Sequence, residues 1–140
     1  MFNQRVGQVM GRERLIVAGS LTTVGDAARL MARSQVGALV IVEANAVVGI
    51  FSERDAVYRV LAAGREPQVT RLADVMTPNP VTVEPDRSYG HALLRMQQRG
   101  FRHMPVVDGG LAVGIVCARN VFDPEMEEFV SETLRRESFR

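Results

Sequence analysis

Apolar positions along the chain follow two periods in alternation. Val24, Ala27, Ala28 and Met31 recur at the three- and four-residue spacing of one helix face, which predicts a helix over 24–34 with Thr23 and Asp26 offering a capping box at its start. Two short branched-rich apolar runs follow, ALVIVE and AVVGIFS, separated by Ala44 and Asn45, and read as a β-hairpin. A second helix is expected over 53–63, and a short strand, LIV, precedes the first helix. The order is strand, helix, strand, strand, helix.

The pattern occurs twice. Displacing the chain by 65 residues lays SLTTVGDAARLMARSQVGALVIVEANAVVGIFSERDAV on PDRSYGHALLRMQQRGFRHMPVVDGGLAVGIVCARNVF without a gap. Ala27 meets Ala92, Met31 meets Met96, Val48 meets Val113, Gly49 meets Gly114, Ile50 meets Ile115 and Arg54 meets Arg119. A weaker echo upstream, VM at 9–10 and VMTPNPVTV from 75, is offset by 66. The second copy should therefore hold a strand at VTV, a helix over 88–99, strands at MPVV and LAVGIV, and a helix from about residue 119. Its turn, Asp108-Gly109-Gly110, suits a tight hairpin better than Ala44-Asn45 does. A unit of roughly 60 residues buries little surface alone, so the copies should pack through their sheets about a pseudo-twofold axis. The fold class is α+β: two tandem βαββα units, 8–66 and 67–123, and a C-terminal helical extension, 124–140. In that extension Met126, Phe129, Val130 and Leu134 share one side.

Composition narrows the function by exclusion. Seventeen basic and sixteen acidic residues nearly cancel, so no general attraction to nucleic acid or to an anionic membrane is expected. All the basic side chains are arginine, a fork-shaped donor suited to phosphate. The N-terminal MFNQRVGQVMGRERL lacks the apolar core of a signal peptide, and no apolar run approaches the roughly 20 residues of a membrane span. A cytoplasmic protein without membrane insertion is the expectation. Cys117, the single cysteine, has no disulfide partner within the chain. No residues recur at metal-ligand spacing, and no nucleophile, base and orienting group stand together, so neither a metal nor catalysis is expected.

One stretch carries candidate chemistry. GIFSERDAV places Ser52 and Asp55 three residues apart where a strand runs into a helix. The pair fits a capping box, and it equally fits a ligand site, because a helix start attracts phosphate and a carboxylate accepts ribose hydroxyls.

The duplicated unit, containing VMTPNPVTVEPD, RGFRHMPVVDGG and VGIFSERDAV, resembles the CBS domain family over about residues 8–123. That resemblance implies a regulatory pair, a Bateman module, binding an adenosine-containing ligand such as AMP, ADP, ATP or S-adenosylmethionine between the repeats. The family pattern of Gly, then Ser or Thr three positions on, then Asp three further on, is met by Gly49, Ser52 and Asp55. It implies that Asp55 takes the ribose hydroxyls and Ser52 the ribose or phosphate, with Ile50 and Arg54 on the same rim. The opposite wall would supply Thr77, Pro80 and Val81 around adenine, and Arg102, His103 and Pro105 from the second copy. An imidazole near phosphate is pushed toward its charged form.

The second copy departs from this pattern. Cys117 and Asn120 replace the hydroxyl and the carboxylate, and Gly37 and Ala38 stand where the first cleft has Arg102 and His103. One good site per chain is therefore expected, with an adenine nucleotide as regulatory ligand and no required cofactor. The expected assembly is a homodimer acting in trans on an effector protein. The alternative is a dimerising protein–protein interaction module that needs no ligand.

Overall fold

The computed structural model describes residues 2–118 and 132–137. In chain order they form α1 (Val6–Val9), which tightens into a 3-10 turn (Met10–Arg12), then β1 (Val17–Ala18), α2 (Val24–Ser34), β2 (Ala38–Glu43) and β3 (Ala46–Ser52). One turn of helix, α3 (Glu53–Asp55), widens into a π-helical stretch (Ala56–Leu61). The second half holds α4 (Leu72–Val75), β4 (Thr77–Pro78), α5 (Tyr89–Arg99), β5 (His103–Asp108) and β6 (Leu111–Cys117). Residues 132–137 are helical, while the expected helix from residue 119 and the apolar side of Met126, Phe129 and Val130 lie outside the described residues.

The two long helices begin on side-chain caps. Thr23 accepts from the Asp26 N–H at 3.2 Å and Ser88 from the His91 N–H at 3.1 Å, each occupying a donor the first turn leaves unpaired. The full capping box expected at Thr23 does not form. Asp26 turns instead to the Arg29 guanidinium one turn on.

β1 pairs parallel to β2, which pairs antiparallel to β3, which pairs antiparallel to β4; β5 and β6 form a second antiparallel sheet. The hairpins of the two copies agree in detail. Both slip register at the same place, between Ile41 and Val42 and between Val106 and Val107. Both turn through two left-handed residues, Ala44 and Asn45 (φ 49° and 67°) and Gly109 and Gly110 (φ 57° and 84°). The strand expected at VTV is reduced to a single bridge from Val83 to Val106. Upstream of it, Thr77–Pro78 pairs with β3 of the other sheet, after which Asn79 turns left-handed (φ 47°).

Strand alternation divides the interior into three. Leu39, Ile41 and Phe51 face the first-half core with Val24, Ala27 and Met31; Met104, Val106 and Val116 face the second-half core with Ala92, Leu93 and Met96. The other strand faces meet between the sheets, where Ala38, Val40, Ile50 and Ile115 pack together. The lead-in helices cross over. Val6 and Val9 of α1 are buried in the second-half core, where the Val6 N–H donates to the Arg87 carbonyl; Leu72 and Val75 of α4 are buried in the first-half core, where the Leu72 N–H donates to the Thr22 carbonyl. Each half is closed by a segment of the other.

Candidate functional site

The crossover builds a cleft. The end of β3 and the start of α3 form one wall, and the segment after α4 with residues 99–103 forms the other, enclosing about 1040 Å³. That is just above the range occupied by small-ligand pockets, about 300–1,000 Å³. Ile50, Ser52, Arg54, Asp55, Thr77, Pro80, Val81, Arg102 and His103 all line it. Pro105 does not. It lies two residues beyond His103 on the same strand face, buried opposite Ile115 in the seam between the sheets, where its carbonyl accepts from the Val83 N–H.

At the floor, the capping box expected of Ser52 and Asp55 is present. Asp55 Oδ2 accepts from the Ser52 N–H at 3.0 Å and the Ser52 hydroxyl at 3.2 Å, and Ser52 Oγ accepts from the Asp55 N–H at 3.3 Å. The Asp55 side chain is 14% exposed and stands 3.6 Å, through Oδ1, from Arg59 Nε. Arg54 lies over the Tyr58 ring, 5.5 Å from its centroid. Among the described residues no carboxylate stands within ion-pair distance of Arg54, Arg99 or Arg102. The cleft thus presents these three guanidiniums from both walls.

His103 sits deeper. Its Nδ1 is 3.0 Å from Cys117 Sγ. Burial, the largest influence, pushes its pKa below the ordinary imidazole value; Glu53, Glu13 and Asp55 pull upward, and Arg102 adds to the lowering. The protein on its own therefore favours the neutral imidazole, opposite to the direction expected beside a phosphate.

The matching region of the second copy lies partly outside the described residues. A cavity of about 20 Å³, room for one water, lies among Arg12, Glu13, Tyr89, Ile115 and Cys117. The expected opposite wall is filled. Gly37 holds the Glu53 N–H on its carbonyl, and a β-carbon there would meet Glu53 Oε1 at 3.2 Å and His103 Cε1 at 3.3 Å. Asn120 lies outside the described residues.

Sequence reasoning missed Glu53, Val57, Tyr58, Arg59, Asn79, Arg99, Gly100 and Phe101 as cleft residues. Arg59 was readable as the i+4 partner of Asp55. Arg99, Gly100 and Phe101 adjoin the quoted FRHMPVV and enter because α5 ends at the rim, with Gly100 left-handed (φ 76°) after it. Among the described residues no cluster of His, Cys, Asp or Glu is able to hold a metal ion, and no helix is long and apolar enough to cross a membrane.

The family model of the CBS domain matches residues 6–62 and 72–124. The Arabidopsis thaliana CBS domain-containing protein CBSCBSPB2 is 40% identical over 96 residues, 68% of this chain but 18% of that protein. The chain thus spans under a fifth of the first curated relatives it matches. The Methanopyrus kandleri protein MK0525 is 33% identical over 135 residues, covering 94% of this chain and 67% of that one. Among solved structures, a conserved protein from Pyrococcus horikoshii superposes with a TM-score of 0.76 at 26% identity, covering 97% and 96% of the two chains. The Pyrobaculum aerophilum CBS domain protein PAE2072, complexed with AMP, superposes with a TM-score of 0.77 at 22% identity, covering 91% and 98%. The CBS domain pair of MJ0100, in complex with 5-methylthioadenosine and S-adenosyl-L-methionine, gives 0.74 at 24%, covering 94% and 99%.

Proposed function

The chain belongs to the CBS domain family, and on that premise we propose that it is a regulatory module binding one adenosine-containing nucleotide in the cleft of about 1040 Å³. The observation that carries this reading is the set of groups gathered in one cleft: Ser52, Asp55 and, from both walls, the guanidiniums of Arg54, Arg99 and Arg102, which have no acidic partner among the described residues.

In this reading the ribose diol exchanges with the Ser52 contacts on Asp55. Phosphate oxygens take the Arg102 and Arg54 forks, and adenine lies against Ile50, Thr77, Pro80 and Val81. His103 protonates as phosphate approaches. The ligand changes the angle between the halves 8–66 and 67–123, or between the subunits of a cytoplasmic homodimer, and an effector protein reads the change in trans. A ligand shifts such an equilibrium only as far as its affinities for the two shapes differ. Val57, Tyr58 and Leu61, exposed by 50%, 66% and 65%, favour a second reading, a dimerising surface that works without ligand.

Thermal unfolding with AMP, ADP, ATP and S-adenosylmethionine separates the two. A ligand at about 100 times its Kd adds roughly 2.7 kcal/mol of stability, which raises the melting temperature by several degrees. Asp55→Ala should abolish that rise. A wild type that responds to none of the four sinks the nucleotide reading and leaves the interaction module.

A further inference from the structure

We propose that Arg59, on the π-helical stretch, is the positioning residue that gives the cleft its selectivity for a ribose over a deoxyribose ligand. This rests on the reading of Asp55 as the acceptor of the ribose hydroxyls.

Arg59 is anchored by backbone, not by acid. Its Nη1 donates at 3.2 Å to the carbonyl of Val75, the last of α4 and without a partner inside that helix, and at 3.0 Å to that of Met76, the extended residue after it. Held there, the guanidinium turns its Nε edge toward Asp55 Oδ1 at 3.6 Å, while Oδ2 is occupied by Ser52. Both oxygens of a nearly buried carboxylate are thereby directed. The same anchor fixes Asp55 relative to Thr77, the residue after Met76, on the other wall. The spacing between a ribose held at Asp55 and a base held at Thr77–Val81 is therefore set by one side chain.

The duplicated sequence supplies an internal control. Pro124 stands where Arg59 has its counterpart, and Asn120 where Asp55 does, so both members of the pair are absent from the second copy. At the matching lead-in, the Met10 carbonyl takes the Glu13 N–H at 3.4 Å instead of an arginine.

The test measures Kd for AMP and 2′,3′-dideoxy-AMP, and for ATP and its dideoxy analogue, on wild type, Arg59→Ala and Arg59→Lys. Ligand-free melting confirms that each is folded. Hydrogen bonds to a charged acceptor make the wild type prefer the ribose form by roughly tenfold or more. Arg59→Ala should bring the ratio to within about threefold of unity, and Arg59→Lys, a point charge that cannot bridge both carbonyls and the carboxylate, should fall between. A residue that only supported the fold would weaken both ligands alike and leave the ratio unchanged. An unchanged or increased ratio in Arg59→Ala overturns the inference while Asp55 keeps its role. A wild type that binds both forms equally overturns both.

Discussion

Gly49 and Gly114 are equivalent in the two copies, and each is covered by a methionine from a lead-in segment of the chain. A β-carbon on Gly49 would press on Met76, lying 3.0 Å from its Cγ and 3.3 Å from its Cε, with Sδ nearer still. On Gly114 it would meet Met10 Sδ at 2.7 Å and both Cβ and Cγ at 3.1 Å. The difference lies in what is able to yield. Met76 offers the flexible end of its side chain, whereas Met10 also offers a β-carbon that moves only with its backbone. Overpacking costs about 1–3 kcal/mol, and replacing a strand glycine by alanine returns about 0.5–1 kcal/mol. Gly114→Ala should thus lose about 1–2 kcal/mol and Gly49→Ala less than about 1 kcal/mol, with roughly 2–8 °C of melting temperature per kcal/mol. Function should rank the other way. Met76 adjoins Thr77 and gives its carbonyl to Arg59, so Gly49→Ala should diminish the melting rise with nucleotide while Gly114→Ala keeps it. Differential scanning calorimetry with and without AMP reads both quantities. A Gly114→Ala protein as stable as wild type would refute the close approach, and loss of the nucleotide response in Gly114→Ala alone would refute the assignment of the cleft.

Three further outcomes follow from the same geometry. His103 has a folded pKa below the ordinary value of about 6.5, so the unfolded chain takes up the proton first. Its contribution is fully present above about 6.5 and is lost as pH falls through the folded pKa; His103→Gln should remove that part of the pH dependence of unfolding, while AMP, favouring the cation, should bind more tightly as pH falls through the same window. Ala44 carries a β-carbon at φ 49°, at a cost of about 1–2 kcal/mol, and Ala44→Gly, copying Gly109, should raise stability by up to about 1 kcal/mol in urea titration. Phe51 is fully buried in the first-half core, and Phe51→Ala should cost about 3–5 kcal/mol in the same titration.

The parts of the fold legible in the sequence are those fixed by local contacts. α2 and α5 carry their own caps, Thr23 and Ser88, and α5 ends on a left-handed glycine, Gly100, so these limits are visible in residue type, whereas α2 ends on Gln35, left-handed without such a signal. The hairpins are equally local. The crossover of α1 and α4 is not, because four-residue helices show no period and the partners of Val6 and Leu72 lie tens of residues away. The widening after Asp55 has no signature in AVYRVL; it appears only in bonds five residues long, from the Ala62 N–H to Val57 and from the Arg65 N–H to Val60. The cleft residues of the sequence motif fall in place because strand alternation and one helix start position them. Pro105 misses because alternation gives its face and not the depth of the cleft.

Among the described residues the two halves repeat several backbone devices around their hairpins. The bond from the Glu53 N–H to the Gly37 carbonyl is repeated by the bond from the Ala118 N–H to the Arg102 carbonyl, both at 2.9 Å. The register slips and the left-handed turns are repeated as well. Gly37 lacks a side chain, and the space beside it is taken by Glu53 and His103, which reach across from the two halves. His103 then spends its Nδ1 on Cys117, the residue standing where the second cleft would need a hydroxyl. The group that lines the large cleft is the same one that closes toward the small one. In the proposed reading, replacing Cys117 by Ser should therefore open no space beside Gly37, because Glu53 and His103 occupy it.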